Sequence, residues 1–237
     1  MTPEELTGRA RTHLKPAALA GAPMLAAAPM PAAAPMLHAH VVRPFENLQR
    51  AALAAGIELE ALSTFRDFER QLAIWNAKWN GATPLLDAAG QRLDTEHLAA
   101  AERIDAILMW SALPGASRHH WGSDLDVIDR RALSPGSRVA LTRAEFAADG
   151  PFARLDQWLE QHAGRFGFFR PFRGVRSGVQ PEPWHLSFAP VAEPARLALS
   201  VEVLREALAR APLGGGEHVR ARLPELHARY VACIDWP

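Results

Sequence analysis

The chain has little cysteine and no net charge. Each of these absences excludes certain kinds of site or partner. Its single cysteine, Cys233, excludes a disulfide framework and a structural zinc site built on cysteine ligands. Lysine plus arginine equals aspartate plus glutamate at 26 each, so the net charge is zero. A chain without a basic excess lacks the electrostatic surface that polyanion binding requires, and we expect no nucleic-acid partner.

An uninterrupted hydrophobic run is also missing. Residues 16–37 are uncharged and long enough to cross a bilayer. Prolines recur through them at 23, 29, 31 and 35, and each removes a helical hydrogen bond, so we expect no transmembrane span. Acidic residues near the N-terminus and an apolar segment of alanine and proline also make a poor secretory signal. The sequence therefore favours an Ala/Pro-rich arm, and a cytoplasmic rather than a periplasmic location.

What is present is the composition of a globular protein of moderate size. Hydrophobic residues make up 49% and charged residues 22%, which is enough for an ordinary core. We divide the chain into an N-terminal helix with the Ala/Pro-rich arm (1–40), a principal domain (41–192) and a C-terminal helical extension packed on that domain (193–237). No internal repeat is visible.

Hydrophobic periodicity predicts an α+β fold with a small antiparallel sheet flanked by helices. The predicted helices cover 1–15, 44–55, 68–78, 95–110, 152–164, 193–210 and 217–231. The predicted strands cover 57–62, 125–129 and 183–188, with a hairpin or loop over 167–177.

Histidines and carboxylates occur together in two short clusters, at 117–126 and 182–185. A catalytic zinc takes three protein ligands and leaves a fourth position open. His119, Asp126 and His185 are the predicted ligands, since Gly122 allows a sharp return between the first two. Glu182, three residues before His185, is the predicted base that takes a proton from water and later gives it to the leaving amine.

An isolated histidine is more often structural than metal-binding, but the pairing of imidazole and carboxylate in both clusters favours a metal site. Asp124 competes with Asp126, because both lie on one face of a strand. Asp129 is a weaker competitor. For His120 we expect packing or a backbone hydrogen bond.

Three motifs in order resemble those of a known family. They are Ser117-x-His119-x-x-Gly122-x-x-x-Asp126, Glu182-x-Trp184-His185 and, upstream, Ser63-Thr64-Phe65-Arg66-Asp67-Phe68-Glu69-Arg70-Gln71. The family is that of the zinc D-alanyl-D-alanine carboxypeptidases of the vancomycin-resistance type, grouped with lysostaphin-like endopeptidases and the hedgehog domain. The resemblance covers about residues 43–190.

The resemblance implies the fold of that group, a Zn²⁺ cofactor and a substrate derived from peptidoglycan stem peptides. It repeats the three ligands and the base, and it implies that Arg66 faces the substrate carboxylate or the developing oxyanion. Gln71, Ser117 and Trp184 match positions that line the substrate site. The implied activity is that of a zinc metallopeptidase that removes a C-terminal D-alanine.

The chain departs from the family pattern around the site. Asp124 stands where a small or apolar residue is usual, and Phe65 lacks a tyrosine hydroxyl. Asp67 replaces serine and is expected to pair with Arg66. These differences leave open an L,D-carboxypeptidase, a dipeptidase or an endolysin-like endopeptidase on the same fold. They also leave open a non-catalytic, zinc-stabilised binding module, although such a module needs no base at Glu182.

Overall fold

The computed structural model describes residues 1–17, 35–134, 136–174 and 178–236. Within these residues, two antiparallel sheets are formed. The smaller sheet pairs β1 (Leu14–Pro16) with β2 (Met36–His38). The larger sheet has the strand order β3-β4-β6-β5, in which β3 is Leu59–Ser63, β4 is Asp124–Asp129, β5 is Phe168–Phe169 and β6 is His185–Phe188.

The register of the larger sheet places chemistry on one face and apolar side chains on the other. Asp126 pairs directly with His185, and Asp124 pairs with Ser187, so these polar side chains point the same way. The alternate residues, including Leu125 and Leu186, are buried in a hydrophobic core. That core is completed by α2 (Val42–Ala54) and α5 (Ala153–His162).

The remaining helices build a second hydrophobic core. They are α1 (Pro3–Leu6), α3 (Phe68–Trp79), α4 (Ala100–Leu108), α6 (Ala189–Ala198), α7 (Val201–Leu208) and α8 (Gly216–Leu226), followed by a π-helix at His227–Ala232. The segment 117–126 joins the two cores, because Trp121 is buried in the second and Leu125 in the first. Because fully buried side chains anchor this segment in both cores, its polar residues are held in fixed positions.

The N-terminal segment braces the loops that carry the sequence motifs. The amide of Phe68 donates to Gly8 O, and the amide of His38 donates to Gly122 O. The His13 ring bonds His120 O, and Arg11 pairs with Asp67. Residues 1–17 therefore belong structurally to the folded protein.

Three predicted helices differ clearly from the observed ones. The helix expected over 95–110 is the shorter α4, since residues 95–99 are not helical. The helix expected over 1–15 is confined to Pro3–Leu6, because the chain turns at Gly8, where φ is +76°. The helix expected over 193–210 is two helices, α6 and α7, since the Ser200 hydroxyl accepts a hydrogen bond from Val203 N and starts a new N-terminus. The antiparallel sheet flanked by helices confirms the predicted α+β class.

The predicted domain boundaries remain a prediction. Leu37, Leu204 and Leu223, which lie outside 41–192, are buried in the same cores as residues of the principal domain. Most of the Ala/Pro-rich arm, residues 18–34, lies outside the described part of the chain. Across the described ranges, no helix combines the length and hydropathy of a membrane span.

Candidate metal centre and substrate cavity

The three predicted ligands meet at one point. One donor atom from each of His119, Asp126 and His185 lies within 4.8 Å of the other two, and all three residues are buried. His119 comes from a short 3-10 helix at Arg118–Trp121, and the other two face each other across β4 and β6. Asp126 Oδ2 lies 3.5 Å from His119 Nε2, and Oδ1 lies 3.4 Å from His185 Nδ1.

On each histidine, a hydrogen bond occupies the ring nitrogen that faces away from the cluster. The nitrogen that faces Asp126 is therefore left to bind a metal. His119 Nδ1 is 2.9 Å from Thr64 O, a carbonyl that can only accept, so Nδ1 carries the hydrogen and Nε2 presents a lone pair. His185 Nε2 is 2.9 Å from Asp124 Oδ1, which leaves Nδ1 as its lone-pair nitrogen. Two imidazoles, each fixed from behind by a hydrogen bond, and the carboxylate of Asp126 form a donor set that fits Zn²⁺.

Asp124 is the residue that holds His185 from behind. It is fully buried, and it also accepts hydrogen bonds from Arg118 Nε at 2.8 Å and from the Ser123 hydroxyl. Burial would raise the pKa of its carboxyl, but the charge of Arg118 and the bond with His185 hold that pKa well below its usual range. Asp124 is therefore an ionised partner of a ligand, not a competitor for the ligand position of Asp126.

Glu182 stands beside the cluster at the cavity wall. Its Oε2 lies 3.1 Å from His185 Nδ1, and its side chain is 15% exposed. Its backbone is fixed by two bonds: Glu182 N donates to Phe172 O, and Glu182 O accepts from His185 N. A carboxylate in this position can exchange a proton with a molecule bound at the cluster.

The pKa values within the cluster follow from these contacts. Burial would raise the pKa of the Asp126 carboxyl, yet the nearby His119 and His185 hold it well below its usual range. Burial would lower the pKa of His185, but hydrogen bonds that its ring donates to the carboxylates of Asp124, Asp126 and Glu182 raise it above its usual value. The cluster is thus built to attract positive charge, and a metal ion and a proton would compete for it.

Arg66 is positioned both by its main chain and by its side chain. Its amide donates to His119 O, and its carbonyl accepts from His120 Nδ1 at 2.6 Å. The guanidinium donates from Nη1 to Gln71 Oε1 at 2.9 Å and from Nη2 to Ser63 Oγ at 3.3 Å. The segment that carries Arg66 is therefore hydrogen-bonded to the segment that carries His119 and His120.

His120 performs the backbone role expected of it. Besides bonding Arg66 O, its Nε2 accepts from Gly115 N at 3.1 Å. Complete burial lowers its pKa to about 3, so the ring is neutral at ordinary pH. Gly122, with φ of +64°, makes the predicted sharp return, and a Cβ there would lie 2.6 Å from His38 N.

The roles predicted for two residues near Arg66, namely Gln71 and Asp67, need correction. Gln71 is fully buried, and its amide is occupied by Arg66, Ser111 Oγ and Ala112 O, so it positions Arg66 instead of lining the substrate site. Asp67 does not pair with Arg66. Its carboxylate instead caps α3 through Arg70 N and pairs with Arg11, which its position at the helix start explains.

A cavity of about 320 Å³ opens onto the cluster. The predicted substrate residues Arg66, Ser117 and Trp184 line it, together with Glu182 and the three cluster residues. Among the wall residues that the sequence did not indicate are Lys78 from α3 and the tail residues Leu226, Tyr230 and Val231. A lysine near a helix end carries no motif, and the tail lies beyond the region of resemblance.

Comparison with known proteins decides the family. Residues 34–191 match the VanY family, described as D-alanyl-D-alanine carboxypeptidase. The chain belongs to this family. The predicted identity as a zinc metallopeptidase of the D-alanyl-D-alanine carboxypeptidase type is thereby confirmed, and the cluster of His119, Asp126 and His185 is the candidate site for its zinc.

Three individual proteins similar to this VanY-family protein share about a third of its residues or fewer over the aligned stretches. An uncharacterised protein of Haemophilus influenzae is 32% identical over 121 residues, covering 50% of this chain and 92% of that protein. A D-alanyl-D-alanine carboxypeptidase of Enterococcus faecalis is 26% identical over 146 residues, covering 60% of this chain and 44% of that protein. The solved structure of the LdcB LD-carboxypeptidase has a TM-score of 0.52 at 18% identity, covers 87% of this chain and 77% of its own, and shares the fold.

Proposed function

We propose that this protein is a zinc-dependent D,D-carboxypeptidase that removes the C-terminal D-alanine from peptidoglycan stem peptides. The observation that carries the proposal is Glu182, whose carboxylate stands 3.1 Å from His185 Nδ1 at the wall of the cavity. A metal site with a purely structural role needs no such carboxylate. The position of Glu182 therefore favours an enzyme over a zinc-stabilised binding module.

His119 Nε2, Asp126 and His185 Nδ1 would hold the metal. Zinc bound there supplies a Lewis acid that polarises the scissile carbonyl and lowers the pKa of water to about 7. Thr64 O and Asp124 keep the two imidazoles in the tautomers that this binding requires.

Glu182 transfers the proton of the reaction. Its carboxylate takes a proton from the water whose oxygen attacks the carbonyl carbon, and it then delivers that proton to the departing amine nitrogen. The peptide C–N bond breaks, and the products are the shortened stem peptide and free D-alanine. One carboxyl group serves both transfers, because it holds the proton between the attack of water and the departure of the amine.

Arg66 supplies positive charge to the same space. Burial lowers its pKa, while the nearby carboxylates of Asp126 and Glu182 oppose that change. Its guanidinium is held by Gln71 and Ser63 before any substrate arrives, and such preorganised donors stabilise developing negative charge without further rearrangement. The apolar part of the wall, which includes Leu113 and Ala116, suits the methyl side chain of alanine.

Defined muropeptides ending in a penta-, tetra- or tripeptide, together with free D-alanyl-D-alanine, test the proposal by mass spectrometry. We expect conversion of the pentapeptide to the tetrapeptide with release of D-alanine. Exclusive cleavage of the tetrapeptide would instead identify an L,D-carboxypeptidase, and exclusive cleavage of the dipeptide a dipeptidase. Inertness towards all four would contradict a peptidase of stem peptides.

The Glu182→Gln variant tests the mechanism. The amide keeps the shape of the side chain but cannot accept the proton, so turnover should fall at least about a hundredfold. Zinc content by elemental analysis should remain that of the wild type. Glu202→Gln, at a side chain that is 73% exposed, is the matched control and should retain full activity. Full activity in Glu182→Gln would disprove the assigned base.

A further inference from the structure

Three cationic side chains line the cavity, and two of them, Arg66 and Arg118, are held in place by the protein. Arg66 is fixed by Gln71 and Ser63. Lys78, near the end of α3, makes one long hydrogen bond from Nζ to Trp110 O at 3.5 Å. Among the described residues it forms no ion pair. Its ammonium group therefore has donors to spare at the cavity wall.

Two other cations with little exposure to solvent, Arg118 and Arg170, differ from the half-buried Lys78 because each has a carboxylate partner. Arg118 is paired with Asp124 at 2.8 Å, and Arg170 is paired with Asp156 at 3.0 Å. A charge removed from water without a partner costs free energy, so an unpaired cation in a cavity calls for an anionic ligand. Burial lowers the pKa of Lys78, and the nearby Glu182 opposes that change, which places the lysine in the electrostatic field of the reacting groups.

The choice of residue type adds a second, independent observation. The chain has 24 arginines and two lysines, so arginine is its usual cation. Of the two lysines, Lys15 is exposed on β1, and Lys78 lies on the cavity wall. Lysine differs from arginine in offering a compact charge on a flexible stem, which suits a single small carboxylate that arrives with the substrate.

We propose that Lys78 binds the terminal carboxylate of the substrate, which leaves Arg66 to face the scissile carbonyl. Arg66 belongs at the reacting bond because its main chain is bonded to His119 and His120 beside the cluster. The terminal carboxylate lies one residue further along the substrate, about 3.5 Å away. This inference rests on the proposed carboxypeptidase function and adds to it the residue that requires a free C-terminus.

Paired substrates with a free or an amidated C-terminus test the assignment. The acid is a diacetylated L-lysyl-D-alanyl-D-alanine, and the second substrate is its C-terminal amide. In Lys78→Met we expect the KM for the acid to rise about ten- to a hundredfold, the effect of losing one hydrogen bond to a charged group, with a smaller change in kcat. The loss on the amide should be much smaller than the loss on the acid, and Lys78→Arg should restore part of the preference for the acid.

Controls separate this inference from the proposed function. Lys15→Met, the matched exposed lysine, should behave as the wild type, and zinc content should be equal in all variants. Calorimetric binding of D-alanyl-D-alanine to Glu182→Gln, with and without Lys78→Met, should show the same loss of affinity without turnover. If Lys78→Met does not fold, the wild-type acid-to-amide ratio and Lys78→Arg still decide.

Three outcomes would overturn the assignment. They are equal wild-type activity on acid and amide, an equal loss on both substrates in Lys78→Met, and unchanged kinetics in that variant. In each of them the enzyme remains a peptidase. A wild type inert towards both substrates would overturn the proposed function and this inference together.

Discussion

Asp124 decides the state of another side chain without entering the cavity. Because it accepts from His185 Nε2, it fixes which imidazole nitrogen points at Asp126 and Glu182. Its negative charge in turn depends on Arg118, which also donates to Ser187 Oγ at 2.6 Å. The ligand geometry of the metal centre is thus set by a buried ionic network one layer below it.

Replacing Asp124 by asparagine should weaken zinc binding while leaving the ligands in place. The amide keeps the shape of the side chain but loses the charge that polarises His185, and the loss of such a partner typically costs about ten- to a hundredfold in metal affinity. Competition against a chromophoric chelator measures the change. Asp149→Asn, at an exposed aspartate, is the control. Unchanged affinity in Asp124→Asn would show that packing alone orients His185.

At this scale the sequence predicted the residues better than their connections. His119, Asp126, His185 and Glu182 stand in short motifs, so their convergence could be expected from residue type and spacing alone. The roles of Asp124 and Gln71 depend on which atom of a neighbour each one meets, and spacing does not contain that information. Lys78 is recognised only from the cavity, where its ammonium group has no anionic partner among the residues that the structure describes.

At the scale of elements, the strands and helices around the site follow the hydrophobic pattern closely. The strand predicted over 125–129 is β4, and the helix predicted over 44–55 is α2. The errors arise where a helix starts or ends, because a single residue decides each of these positions. Ser200 starts α7 with its hydroxyl, and Gly8 ends the N-terminal helix after one turn. Periodicity does not register either event, because the apolar spacing continues across both.

The small sheet of β1 and β2 should make stability depend on pH. Burial, with smaller contributions from His13 and His40, lowers the pKa of His38 in β2 to about 4. Between about pH 6.5 and 4 the unfolded chain therefore binds a proton that the folded protein does not. The contribution of His38 is complete above pH 6.5 and is lost as the pH falls towards 4.

Denaturant unfolding between pH 7 and 4 measures this dependence. For the half-buried His38 we expect a slope below about 1.4 kcal/mol per pH unit, the limit for one proton. His38→Gln should flatten the profile, because glutamine does not titrate. His97→Gln, at an exposed histidine, should not change it. An unaltered profile in His38→Gln would assign the acid sensitivity to other groups.

At the scale of the whole molecule, the metal centre links the two hydrophobic cores. His119 lies on the 3-10 helix whose Trp121 is buried in the second core, and Asp126 and His185 lie on strands that cover the first. A metal ion held by all three binds the folded state and not the unfolded chain. Zinc should therefore stabilise the whole fold through binding.

Removal of zinc by a chelator should lower the melting temperature. At a free zinc concentration of 1,000 times the Kd, the stabilisation is about 4 kcal/mol, which corresponds to roughly 8–16 °C for a chain of this size. Calorimetry before and after chelation measures the shift. His185→Ala should lose its zinc and show no response to the chelator. A zinc-dependent shift that persists in this variant would locate the stabilising metal elsewhere.

The tail residues Leu226, Tyr230 and Val231 form part of the cavity wall, although the family match ends at residue 191. Part of the shape of the pocket is therefore encoded outside the stretch that carries the reacting groups. The sequence of the tail can change while the motifs that carry the reacting groups stay the same. Related enzymes with the same motifs but a different tail should cut the same bond in stem peptides of different bulk, and grafting one tail onto another domain should transfer that preference.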